Sequence, residues 1–374
     1  MSLTGTPFFL TSIALVVVAI VLPLTLWSRV RGPWLVRGLV RLVMVLFAQV
    51  TAVTLVFVIV NNANSLYDTW GDLFGTADHV GTARDLGPDG LGGTRIKDEP
   101  RQAQEFVPAT DPVVGAGVRQ TEFKGKVSGV SGEVYVWLPP QYDDPAYRGK
   151  KFPVVEVLPG FPGSAKSWLG TLKAGEQLRP LMEQGKVKPF ILVAPRTTLL
   201  GSVDTGCVNI AGKVNADSWL SVDVRQMVID TFRAEEKADS WAVAGYSAGA
   251  HCATKLALAH PDRYRAAVSL SGYNDPAQEP ASLAGRNPVL RARSNPLNIL
   301  KAANEKGAPP RTALFVSGAS GDGYEAGLAL QRLAKEPTTV RVEHIPAGAG
   351  GHGTGVWKAQ VPEVFRWLSG VLAP

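Results

Sequence analysis

At 374 residues the chain has room for one α/β domain of about 250 residues and further segments besides. It carries 38 Lys and Arg against 32 Asp and Glu, a formal net charge of +6. Four of those positive charges, Arg29, Arg31, Arg37 and Arg41, fall in residues 1–60, which hold no acid; the remainder is nearly balanced and offers no electrostatic footprint for nucleic acid.

Two apolar runs open the chain, Phe8–Trp27 and Leu42–Val60, with no charged residue in either. Each is long enough to cross about 30 Å of hydrocarbon. A signal peptide followed by a buried helix is the alternative, but the first run lacks a basic leader and a small-x-small cleavage site. All four arginines lie between the runs, so the positive-inside rule places that connection in the cytoplasm. The expectation is an integral hairpin in the cell membrane, spans about 8–27 and 42–60, with the N-terminus and everything after residue 60 on the extracytoplasmic side. Tyr67, Trp70 and Leu73 follow as interfacial anchors. Residues 61–118 read as a juxtamembrane segment and linker, the part from 76 onward rich in Gly, Pro, Asp, Arg and Thr without periodicity.

The catalytic-domain pattern starts at 119. Strands are predicted over 122–130, 134–138, 153–158, 190–194, 241–246, 264–270, 312–316 and 339–345, with helices over 172–184, 222–233, 248–259, 325–334 and 360–372. Short apolar strands alternating with helices predict an α/β fold with a doubly wound, mostly parallel sheet and an antiparallel start. Residues 272–310, rich in Pro, Asn, Ser and Arg, break the rhythm as a lid or as an inert surface excursion.

One stretch organises the domain: an apolar strand, then Gly245-Tyr246-Ser247-Ala248-Gly249, then an Ala-rich helix. Gly-x-Ser-x-Gly in that context is a nucleophile elbow. A serine raised on a sharp strand-to-helix turn has close neighbours, and Gly245 and Gly249 omit the side chains that would collide. The amide of Ala248, at the helix N-terminus, is placed to donate to a developing oxyanion.

A serine hydroxyl needs a base. Of five histidines, His79 lies in the linker, His251 on the nucleophile helix, His260 before Pro261 at that helix's end and His344 inside a strand. His352 sits in a Gly-rich loop after the last strand, where the chain order Ser, acid, His places the base. The acid is expected between them. Asp322, after strand 312–316, is the first choice, with Asp275 and Glu325 as contenders that a turn and a helix N-terminus also explain. The second oxyanion donor is the amide of Phe161, in the loop Pro159-Gly-Phe-Pro-Gly163. Cys207 and Cys252 are the two cysteines. In an exported domain the even count permits a disulfide, with two buried free thiols as the alternative. Neither has ligand-spaced partners beyond His251, so no metal is expected, and no cofactor.

The motifs Val134-Tyr-Val-Trp-Leu-Pro-Pro140, Leu158-Pro-Gly-Phe-Pro-Gly163, Gly245-Tyr-Ser-Ala-Gly249, His260-Pro-Asp-Arg-Tyr264, Ser271-Gly-Tyr273 and Gly351-His352 with Trp357 resemble the putative-esterase (esterase D-like) family of α/β-hydrolases, which includes the mycobacterial mycolyltransferases. The resemblance covers roughly 119–374. It implies an α/β-hydrolase fold, a triad of Ser247, Asp322 and His352, and Phe161 and Ala248 as oxyanion donors. Many members have His-Gly before the oxyanion residue where this chain has Pro159-Gly160. The hairpin plus domain looks like membrane esterases of actinobacteria, in which the cysteine pair looks like a disulfide. The expected function is a membrane-anchored serine hydrolase of carboxylic esters, its substrate a small-molecule, lipid or glycan ester. The alternatives are an acyltransferase to a sugar or glycan hydroxyl and a catalytically silent cell-surface interaction protein; a protease is disfavoured because nothing marks a peptide subsite.

Overall fold

A computed structural model of the protein describes residues 2–87, 90–92, 101–346 and 348–373. Two long apolar helices come first, α1 (Thr6–Leu26) and α2 (Trp34–Asn64), packed side by side. At 31 residues α2 is about 46 Å long, more than a hydrocarbon core needs. It therefore takes in Arg37 and Arg41, which the sequence places in the connection. Arg41 donates to the Trp27 carbonyl and lies over the Trp27 ring, closing the hairpin. The outer faces stay apolar and uncovered, with Leu24, Leu39 and Val53 among the exposed side chains.

The short helix α3 (Trp70–Phe74) follows, capped by reciprocal bonds between Thr69 and Asp72. Trp70 packs edge-on against Phe8 of α1 and stacks on Phe74. Then come β1 (Val107–Pro108), β2 (Val118–Lys124), β3 (Ser131–Trp137), β4 (Val154–Leu158), α4 (Ala174–Glu183) and β5 (Ile191–Pro195). A small hairpin, β6 (Asn209–Ile210) and β7 (Val214–Asn215), leads into α5 (Ala216–Ser218), a π-helical turn and α6 (Arg225–Thr231). The remainder is β8 (Trp241–Tyr246), α7 (Ala248–Ala259), β9 (Ala266–Leu270), α8 (Leu283–Arg286), α9 (Pro288–Ser294), α10 (Pro296–Glu305), β10 (Ala313–Gly318), α11 (Tyr324–Leu333), β11 (Thr339–His344) and α12 (Thr354–Val371).

Nine strands form one sheet in the order β1-β2-β3-β5-β4-β8-β9-β10-β11. Pairing is antiparallel from β1 to β5 and parallel from β5 to β11. Strands β4, β5, β8 and β9 are buried along their whole length, which is why they read as nearly continuous apolar runs, interrupted by Glu156 and Ser269. Alternate residues feed two cores: Val154, Val193, Val243 and Trp241 on one face, Val155, Leu192, Ala244 and Trp137 on the other. The sheet is thus an α/β-hydrolase sheet, with α6, α7 and α10 packed on the first face and α4 and α12 on the second.

The structure differs from the linker reading of 76–118. Residues 88–89 and 93–100 of that stretch lie outside the described residues, but the parts on either side are bonded into the domain. The amide of Ser131 donates to the His79 carbonyl, that of Gln102 to Asp230, and that of Gln104 to the Thr231 hydroxyl. These are main-chain bonds to distant partners, so they leave no periodicity in the sequence. Within 272–310, helix α10 buries Leu300 in the core against α7, so that part of the excursion is a layer helix and not a lid.

One buried acid makes a prediction. Glu156, on β4, is fully buried; burial pushes its carboxyl up to about 8, against the opposing effects of the Tyr264 hydroxyl, which donates to it at 2.8 Å, and of Arg225. The folded protein therefore holds a proton that the unfolded chain releases near its ordinary carboxylate range. The stability tied to that proton is present at lower pH and is lost as pH rises through about 8. Glu156→Gln, neutral at every pH, is expected to be more stable than the parent at pH 8–9 and to flatten the fall between pH 5 and 8. Thermal unfolding across that range checks it; parallel curves would contradict it.

Candidate active site

The carboxyl ends of β8, β10 and β11 deliver three side chains to one point, the edge at which doubly wound sheets bind ligands. Ser247 joins β8 to α7 with φ 56° and ψ −123°. That left-handed φ costs a non-glycine residue about 1–3 kcal/mol, so its surroundings must hold it. They do: the Ser247 amide donates to the Leu270 carbonyl at 2.9 Å, and its carbonyl accepts from the amides of Ala250 and His251. A β-carbon on Gly245 would stand 2.1 Å from the Gly249 carbonyl oxygen, and one on Gly249 would stand 2.3 Å from that of Pro159. Neither distance is sterically accessible, so both positions require glycine.

The Ser247 hydroxyl lies 2.9 Å from His352 Nε2, and His352 Nδ1 lies 2.7 Å from Asp322 Oδ1. The tautomer that satisfies both contacts carries its proton on Nδ1, donates it to Asp322, and accepts from serine at Nε2. The His352 side chain is 48% exposed. Its ring meets the Trp357 indole edge-on, the same indole stacks on Tyr246, and its Nε1 donates to the Ser271 hydroxyl. Sequence reading noted Trp357 without giving it a role. It belongs to α12, which starts at Thr354, six residues before the predicted helix, and so carries the indole directly behind the imidazole.

The two other carboxylates considered as the acid point elsewhere. Asp275 pairs with Arg291, which holds its carboxyl below the ordinary range, and Glu325 accepts from the Gly321 amide. The other histidines have different neighbours too. His79 pairs with Asp72, and His260 with Asp217. His344 meets Ser320 and the Tyr324 ring. His251 is buried beneath Tyr273, bonded to the Tyr273 carbonyl, and burial pushes its imidazole down to about 4.

Ala248 opens α7 and Phe161 sits in the loop after β4; both line one narrow cleft with Gly160, Thr197 and Gly249. Its far wall is the disulfide Cys207–Cys252, whose α-carbons are 5.6 Å apart, together with Asp204, pushed up to about 6 by burial. The bridge ties the loop after β5 to α7. Among the described residues, no group of three or more His, Cys, Asp or Glu side chains is arranged to hold a metal ion.

Comparisons with known proteins bear on the family and the fold. A family described as "Putative esterase" matches residues 128–368, well over half of the chain. An uncharacterised protein of Corynebacterium glutamicum is 24% identical over 251 residues, 63% of this chain; the chain spans 57% of the length of that curated relative. Among solved structures, a ferulic acid esterase superposes with a TM-score of 0.57 at 18% identity, covering 68% of this chain and 98% of its own. An S-formylglutathione hydrolase of Agrobacterium tumefaciens gives 0.55 at 13%, covering 72% and 100%. Fluorophosphonate-binding serine hydrolase F of Staphylococcus aureus gives 0.54 at 19%, covering 67% and 98%. At these identities the structural likeness speaks for the fold.

Proposed function

The chain belongs to the "Putative esterase" family, and from that membership we propose that it is a membrane-anchored carboxylic ester hydrolase with Ser247, His352 and Asp322 as its triad. The observation that carries the reading is the unbroken line of contacts from Ser247 through His352 to Asp322 at the strand ends.

Ser247 Oγ attacks the acyl carbon while its proton passes to His352 Nε2. The oxyanion accepts from the amides of Phe161 and Ala248. Asp322 fixes the imidazole tautomer and stabilises the imidazolium, without taking the proton. The imidazolium then protonates the departing alkoxide and leaves an acyl-enzyme. Water, deprotonated by His352, adds to that ester, and Ser247 leaves with the returned proton. The half-exposed imidazole keeps the acyl-enzyme open to water, which favours hydrolysis over transfer to a sugar hydroxyl.

The uncovered apolar faces of α1 and α2 support insertion in a membrane, since a surface of that extent needs lipid or a partner. The arginines at their junction support a cytoplasmic turn and an extracytoplasmic catalytic domain. A disulfide fits the oxidising side.

A fluorophosphonate probe on the detergent-solubilised protein, followed by a p-nitrophenyl ester series with and without sugar acceptors, tests the reading. Stoichiometric labelling and release of free acid are expected. Acylated sugar as the main product would make it an acyltransferase, and an inert but folded protein would leave a surface-interaction role.

A further inference from the structure

We propose that the end of the second apolar helix is a positioning element of the esterase site, holding the loop that carries the Phe161 oxyanion donor. The proposal rests on the esterase reading above and extends it: the hairpin is a working part of the site as well as a tether.

The connection begins at the helix end. Ser65 caps α2 in the left-handed conformation, with φ 50° and ψ 56°. Asn61, fully buried, bonds through both side-chain atoms to the main chain of Tyr67, so the chain leaves the helix in one fixed direction. In that arrangement the Ser65 carbonyl accepts from the Ser164 amide at 2.8 Å and from the Ser167 hydroxyl at 3.3 Å, and its hydroxyl meets that of Thr171 at 2.9 Å. Three residues on, Asp68 accepts from the Ser164 hydroxyl at 2.5 Å and pairs with Lys166 at 2.8 Å. Lys166 pairs on its other side with Asp111 at 2.9 Å.

Ser164 lies in the loop that Pro159 begins and that runs on to α4. Gly160, inside that loop, packs on Ser247: a β-carbon there would lie 3.1 Å from the serine β-carbon. Three residues separate Gly160 from Ser164, four steps and at most about 14 Å of chain, so the cap of α2 and the nucleophile brace opposite ends of one short segment. Next to Ser164 the segment is also held by Thr198, whose hydroxyl donates to the Gly163 carbonyl at 2.9 Å and accepts from the Gly163 amide at 3.3 Å. Arg196, two residues before Thr198, donates to the Thr198 carbonyl and to Asp72 of α3. The supports at Gly163 and Ser164 thus both lead back to residues 65–72. An oxyanion donor works only when its amide stands within hydrogen-bond range of where charge develops, and such a donor contributes to kcat rather than to ground-state binding.

The test uses full-length protein in detergent or lipid nanodiscs, with Ser164→Ala, Asp68→Asn and, as the conservative replacement, Ser164→Thr. Four quantities are read: kcat, KM, fluorophosphonate labelling rate, and affinity for an aryl boronic acid that mimics the tetrahedral intermediate. Expected for Ser164→Ala and Asp68→Asn is a kcat lower by about 10- to 100-fold, with KM within about twofold. Boronate affinity falls in step with kcat, and Ser164→Thr recovers most of the loss. If Ser164→Ala does not fold, Asp68→Asn, of nearly the same shape as the parent, carries the comparison. Unchanged kcat and boronate affinity in a folded variant overturn the proposal. So does a parallel weakening of kcat, KM and boronate binding together with a lower melting temperature, the signature of a general brace. A wild type that neither labels nor hydrolyses esters removes the esterase reading and this proposal together; an active wild type with unaffected variants removes this proposal alone.

Discussion

Ser247→Ala is expected to lower kcat by about 10⁴-fold or more, abolish fluorophosphonate labelling and leave the fold intact. The hydroxyl is the only part of the residue that the substitution removes, and its contact in the structure is with His352 Nε2. The backbone bonds that hold the left-handed φ of residue 247, to Leu270, Ala250 and His251, do not involve the side chain. His352→Ala is expected to cost nearly as much, because the serine then has no group to take its proton. Asp322→Asn keeps the shape but turns the imidazole toward the wrong tautomer, and a loss of about 10³- to 10⁴-fold is expected. The losses are not additive, since the three groups act as one unit, so a double variant should be little worse than Ser247→Ala. Steady-state kinetics beside circular dichroism checks this. A fully active, folded Ser247→Ala protein would remove the triad assignment.

Breaking the Cys207–Cys252 bridge is expected to give the largest loss of stability. The bridge closes a loop of 45 residues, for which the chain-entropy account gives about 4 kcal/mol. For a domain of this size that corresponds to a fall in melting temperature of about 10 °C. The consequence should reach the narrow cleft that both cysteines line with Phe161 and Ala248, next to Ser247 in the chain. The Cys207 carbonyl also accepts from Lys255 on α7, a second link between the same loop and the nucleophile helix. That link keeps the loop near its place after reduction, so a weakened but folded protein is the expected state. Thermal unfolding with and without reductant, beside Cys207→Ser/Cys252→Ser, is the measurement. The double variant should melt where the reduced parent does and ignore reductant. If reductant leaves the parent's melting temperature unchanged although thiol titration shows the bridge open, its stabilising role is refuted.

The sequence by itself determined what depends on neighbours along the chain. Apolar runs of sufficient length gave the two N-terminal helices, and short, mostly apolar strands gave the parallel sheet. Gly245 and Gly249 announced a turn too tight for side chains, and the structure shows the close carbonyls that demand it. The order of the proposed triad, Ser247, Asp322 and His352, could be read because each residue follows a recognisable strand. What only the tertiary structure decided depends on groups brought together from far apart. Three carboxylates followed or neighboured suitable strands and helices, and only the folded chain shows that Asp322 stands against His352 while Asp275 is taken by Arg291. Composition made residues 76–118 look like a free linker, because main-chain bonds to Asp230, Thr231 and Gly129 leave no mark on side-chain pattern. Trp357 stood out in the sequence only as part of the Gly351-His352 motif, and its place behind the imidazole came with α12. The bonds from Ser65 and Asp68 to Ser164 span about a hundred residues, and no local period encodes them. Periodicity reports which face of an element is buried; which element it meets there is settled by packing and by the pairing of buried polar groups, and those exist only once the chain has folded.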